Sequence, residues 1–119
     1  MIKYRHKILF SEGAIDSDNF KEIATLSYEG LLPSAPSPGL LVAISYRTEF
    51  EIKSLKYIQS EEIYESCSHI DFYEMESSFK DFVPRGGWIA RYIKDGFKVD
   101  YADPARREEI ELAAENDEI

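Results

Sequence analysis

Residues 2–10 read Ile-Lys-Tyr-Arg-His-Lys-Ile-Leu-Phe, and this alternation constrains the fold more than any other stretch. A period of two puts Ile2, Tyr4, His6, Ile8 and Phe10 on one face and Lys3, Arg5 and Lys7 on the other. The stretch is therefore a strand with one buried face and one basic, wet face. Three cations on a strand serve equally well as a small basic surface or as protection of a sheet edge.

The segments that follow predict how such a strand is covered. Ser17 is placed to cap a helix running to about Tyr28, with Phe20, Ile23 and Ala24 on one side and Gly30 as its stop. The Pro/Ser/Gly-rich run 31–39 is a connector. Residues 40–46, Leu-Leu-Val-Ala-Ile-Ser-Tyr, are almost continuously apolar and predict a central strand. Residues 49–58 alternate around Phe50 and Ile52 and predict a second strand, joined to it by a turn at Arg47 and Thr48. Ser60 with Glu61 and Glu62 reads as a helix start, and Phe72, Met75, Phe79 and Phe82 form a helical stripe stopped by Pro84. Asp95-Gly96 predicts a two-residue hairpin turn pairing Tyr92 with Val99 and Ala90 with Tyr101, with Trp88 on the core side. Asp103-Pro104 then opens a last helix, with Asp as N-cap. The expected fold is α+β, an antiparallel or mixed sheet of about five strands with two to four helices packed mainly on one face.

A chain of 119 residues with 44% apolar side chains is one domain able to bury a core, and the expectation is a single domain over 1–119 with its last few residues frayed. No apolar run approaches a membrane span, and the start lacks a signal peptide's apolar stretch. The single cysteine, Cys67, excludes an internal disulfide and points to the reducing cytoplasm.

Charge is the most distinctive property, with a net value of −9. Residues 1–58 balance, whereas 59–76 hold six carboxylates and no Lys or Arg, and 100–119 hold eight carboxylates against two arginines. Such a chain repels phosphate backbones and anionic membranes and attracts basic partners. On a helix, Glu108, Glu111, Glu115 and Glu118 form one acidic stripe. Carboxylates in first turns also complement helix dipoles, and a like-charged tail is often simply solvated.

Chemistry-bearing clusters are sparse. Cys67, His69 and Asp71 share a face if the segment is a strand; on a helix His69 turns away. Together they offer a partial zinc or thiol site, but a fourth ligand is lacking because the only other histidine is His6. Gly86 and Gly87 beside Arg85 suggest an anion nest but match no phosphate loop. No metal and no cofactor is expected. The functional expectation is a non-enzymatic acidic binding protein that inhibits or neutralises a basic, nucleic-acid-handling partner, of immunity type or as a nucleic-acid mimic. It would bind neither nucleic acid nor membrane itself, and would act through Glu61, Glu62, Glu65, Glu74, Glu108, Glu111 and Glu115. The alternative is a small enzyme or ligand-binding domain with a pocket between sheet and helices, using Cys67, His69 and Arg91.

Overall fold

The computed structural model describes residues 1–45, 48–72, 85–105, 107, 108, 110 and 111. Seven strands and one helix are present among them: β1 (Ile2–Glu12), β2 (Lys21–Leu32), β3 (Leu41–Ser45), β4 (Thr48–Glu51), β5 (Ser54–Ile58), β6 (Ile63–Asp71), α1 (Arg85–Lys94) and β7 (Lys98–Ala102). Five strands form one sheet in the order β5-β6-β1-β2-β7, and β3 and β4 form a separate two-stranded ribbon. β1 lies at the centre, antiparallel to β2 and parallel to β6, so the sheet is mixed.

The alternation of β1 is borne out. Tyr4, His6, Ile8 and Phe10 are all buried, facing one side. Ala24 and Leu26 of β2 sit opposite Phe10 and Ile8 and continue that face. It is covered by Phe50 from the ribbon, Ile52 just after it, Ile89 from α1, and Phe97. Rings knit these layers together: Phe10 meets Tyr92 edge-on at 5.7 Å, and Phe97 meets both Tyr92 and Tyr28 at 5.4 Å. The opposite face of the sheet, the open face, has no helix among the described residues.

Among the described residues the expected two to four helices are not found: one helix element is present. Residues 17–28 are not a helix. Ser17 closes a tight turn on Ala14 instead, and β2 begins at Lys21. In that strand Ala24, Leu26 and Tyr28 make an apolar row at every second position, which wins because the row completes the core face of β1. Gly30 does not stop a helix. It lies in β2 opposite Tyr4, where a Cβ would come within 2.9 Å of that ring. The helix expected from Ser60 is absent as well: a tight turn holding Glu62 at φ 53° leads directly into β6.

The hairpin expected around Asp95-Gly96 is a helix end. Gly96 has φ +109°, its N–H donates to the Ile93 carbonyl (3.1 Å), and the Phe97 N–H donates to the Tyr92 carbonyl (3.1 Å). These two bonds, with Phe97 packed on Tyr92, are a Schellman cap. Burial of Ile89 and Ala90, with Tyr92 and Ile93 half-buried, follows helical spacing, and Arg91 and Lys94 sit at the end that favours cations. β7 therefore pairs with β2 rather than with the segment before it.

The strand expected over 40–46 is β3, but it pairs only with β4, so it is no central strand. The stretch 49–58 divides at Ile52, with β4 in the ribbon and β5 at the edge of the large sheet. Asp103 does cap: its Oδ1 accepts the Ala105 N–H at 3.2 Å, ahead of a helical turn through Arg107, Glu108, Ile110 and Glu111. Met75, Phe79 and Phe82 and the side chains of residues 85–88 lie outside the described set.

Candidate functional site

Of the carboxylates expected to bind a partner, Glu61, Glu62, Glu65, Glu108 and Glu111 are among the described residues. Arg5, at the centre of the open face, is the hub of an ion-pair network. Its Nε donates to Glu65 Oε2 at 2.8 Å, its terminal nitrogens reach Glu61 at 3.0 and 3.3 Å, and one also reaches Glu29 at 3.2 Å. Lys56 and Lys7 approach Glu65 at 3.5 and 4.0 Å. The basic face of β1 and the acidic start of β6 thus neutralise each other across the sheet.

Hydrogen bonds from Arg5 hold Glu61 below the usual carboxylate range. Glu65 is buried, which pushes its pKa upward, but Arg5, Lys7 and Lys56 outweigh burial and the net direction is down. The Arg5 guanidinium is correspondingly raised, first by its bond to Glu61.

Glu62 is exposed beside Glu61 at the β5–β6 turn. Glu108 and Glu111 are exposed after β7, at the far edge of the five-stranded sheet. Glu74 and Glu115 lie outside the described residues. Among the described residues, then, the chosen carboxylates occupy two sheet edges and an ion-pair hub, not one patch.

Cys67 and His69 do share a face, because their segment is the strand β6. Parallel register sets them beside Lys7 and Leu9 of β1. The loop 13–20 overhangs them, and Ile15 and Phe20 from this loop complete a cleft of about 490 Å³ on the open face. The cleft is therefore on the side away from α1, not between sheet and helix. Asp71, the third member of the cluster, accepts the Gly13 N–H at 3.0 Å and so anchors the loop. Partial burial, and then the neighbouring Glu65, raise the Cys67 thiol, so it stays protonated and is not activated as a nucleophile. Among the described residues no group of three His, Cys, Asp or Glu side chains is placed to hold a metal. Arg91 lies on α1, on the opposite side of the sheet from the cleft.

A second surface was invisible to charge counting. Residues 32–34 and 40–43 line a groove of about 310 Å³ beside the β3–β4 ribbon. Leu40 and Leu41 on it are 41% and 60% exposed, which is costly for leucine unless the surface is used. Leu41 lies directly across from Glu51, and Ala43 from Glu49. All four point outward, since Phe50 and Thr48 at the alternate positions are buried. The one sequence signal for this surface was the alternation Glu49-Phe50-Glu51-Ile52, which sends its carboxylates outward whenever its apolar residues turn in.

No protein-family description, no curated protein and no solved structure matches this chain. Among the described residues no helix is long and apolar enough to cross a membrane.

Proposed function

We propose that the chain is a non-enzymatic binding domain for a basic protein partner, and that the partner docks on the outer face of the β3–β4 ribbon. The observation that carries this reading is one outward ribbon face on which the exposed Leu41 lies across from Glu51 and Ala43 across from Glu49, with the exposed Leu40 just ahead of the strand. Apolar anchors supply affinity where they are desolvated, and a rim of one charge sign selects the partner and speeds encounter. The net charge of −9 steers a basic protein toward the whole molecule. Inhibition or neutralisation of a nucleic-acid-handling partner is the outcome this reading implies. A cytosolic setting belongs to the same reading, since Cys67 is an exposed free thiol. Glu61 and Glu65 have no role in it, because Arg5 engages both.

Affinity capture from host lysate with matched variants tests the proposal. Basic proteins held by the unmodified chain and eluted by salt should be lost when Leu41→Ser is combined with Glu49→Lys and Glu51→Lys. They should persist when Glu108→Lys and Glu111→Lys are made instead. Equal retention by both sets would remove the ribbon from the proposal, and retention of no basic protein would remove the proposal itself.

A further inference from the structure

We infer that the cleft on the open sheet face is a second, separate site, which binds a small monocarboxylate with an elongated apolar body. Its volume of about 490 Å³ falls in the range of small-molecule sites. The cleft is built rather than incidental, because its roof is tied down at several points. The Ser11 hydroxyl donates to the Gly13 carbonyl at 2.9 Å, and Asp71 takes the Gly13 N–H. Ser17 then closes the loop, its N–H and hydroxyl both donating to the Ala14 carbonyl at 3.0 and 2.8 Å. Gly13 itself, at φ +92°, has the Asn19 carbonyl only 2.9 Å from where a Cβ would stand. The loop is wound tightly, and Ile15, 56% exposed, is held at the rim of the cleft.

The polar groups decide the ligand. Cross-strand register runs Lys7, then Leu9, then Ser11 along β1, with Thr25 and His69 flanking Leu9. Lys7 therefore stands at one end of an apolar track formed by Leu9, Ile15 and Phe20. Its only ion-pair partner among the described residues is Glu65 at 4.0 Å, and that carboxylate is already committed to Arg5 and Lys56. Glu22, at the other end, accepts the Thr25 hydroxyl. His69 lies within 2.6 Å of Ser11 through Nε2. Because the single Ser11 hydrogen goes to Gly13, the Ser11–His69 bond is donated by the Nε2–H, which fixes the imidazole beside Leu9. An ammonium at one end and an apolar track leading from it fit an anionic head with an apolar tail.

The test is a titration of the isotope-labelled chain with octanoate and, separately, with octanol, followed through backbone amide shifts. Octanoate should give saturable shifts at Leu9, Thr25, His69 and the 13–20 loop. Lys7→Met should weaken octanoate about tenfold and leave octanol unchanged, as expected for loss of one charge-assisted contact. Ile15→Asp should weaken both. Both positions are solvent-exposed enough that an unchanged spectrum of the free variants will certify the fold. Glu49→Lys with Glu51→Lys should bind octanoate as the unmodified chain does, which keeps this site distinct from partner docking. Absence of saturable shifts, shifts spread over the whole surface, or a Lys7→Met variant that binds octanoate normally would each overturn the inference.

Discussion

His6 is the most exacting single residue in the molecule. It is fully buried, stacked on Phe50 at 3.8 Å and 5°, with Nδ1 at 2.6 Å from Ser66 Oγ and Nε2 at 2.8 Å from Ser68 Oγ. The neutral ring satisfies both serines, donating to one and accepting from the other. Burial lowers its pKa from 6.5 to about 4. Folding therefore favours the neutral form, and the sign follows: the stabilisation is whole above pH 6.5 and is lost as pH falls toward 4. The loss over that window is about 3 kcal/mol, and urea midpoints measured from pH 7.5 to 4 should fall accordingly. A His6→Gln variant, less stable at neutral pH, should show a flatter profile; an equally steep one would assign the acid sensitivity elsewhere. Arg5 makes a contrasting case. Arg5→Met leaves Glu65, 5% exposed, with Lys7 and Lys56 as its cations among the described residues. It should cost about 3 kcal/mol in chemical denaturation, and Arg5→Met with Glu65→Met should recover most of that. The hub's share of stability stands above the ordinary carboxylate range and disappears below it, because Glu61 and Glu65 both have lowered values.

Among the elements, the Schellman cap at the end of α1 fixes the direction of β7. Gly96→Ala meets a backbone at φ +109° and a Tyr28 ring carbon at 3.3 Å, whereas Gly39→Ala at φ +94° meets nothing within 4 Å. Both should destabilise by about 1 kcal/mol through conformation, and Gly96→Ala by a further amount through crowding, so the difference in thermal midpoint between the two variants measures the packing part. The same dipeptide shows where sequence reasoning failed. Asp-Gly is a hairpin turn when strands flank it and a helix cap when Ile89, Tyr92 and Ile93 precede it at helical spacing. The 17–28 segment failed for a related reason: Phe20, Ile23 and Ala24 fit a helix while Ala24, Leu26 and Tyr28 fit a strand, and only the neighbouring β1 decides. By contrast β1 and the core face it presents were fully legible, because no helical spacing competes with its alternation. The cleft was half legible. Cys67 and His69 were visible as a same-face pair conditional on a strand, but Leu9, Ile15 and Phe20 become neighbours only through the loop's closure.

At the scale of the whole molecule, charge was legible in amount and not in arrangement. The acidic run 59–76 lacks internal cations, yet its Glu61 and Glu65 find Arg5 on a strand that a linear count treats as remote. The cause is the parallel pairing of β1 with β6, which joins residues 60 positions apart. That pairing also governs how the chain assembles. During synthesis the central strand leaves the ribosome ahead of both its partners, and β2 follows it well before β6. Its other edge waits, unpartnered, until β6 has emerged, and a waiting strand edge is a template for aggregation in a nascent polypeptide. The cations Arg5 and Lys7 that later lie against the glutamates of the open face, together with Lys3, thus also serve, for those seconds of translation, as the strand's guard against foreign chains.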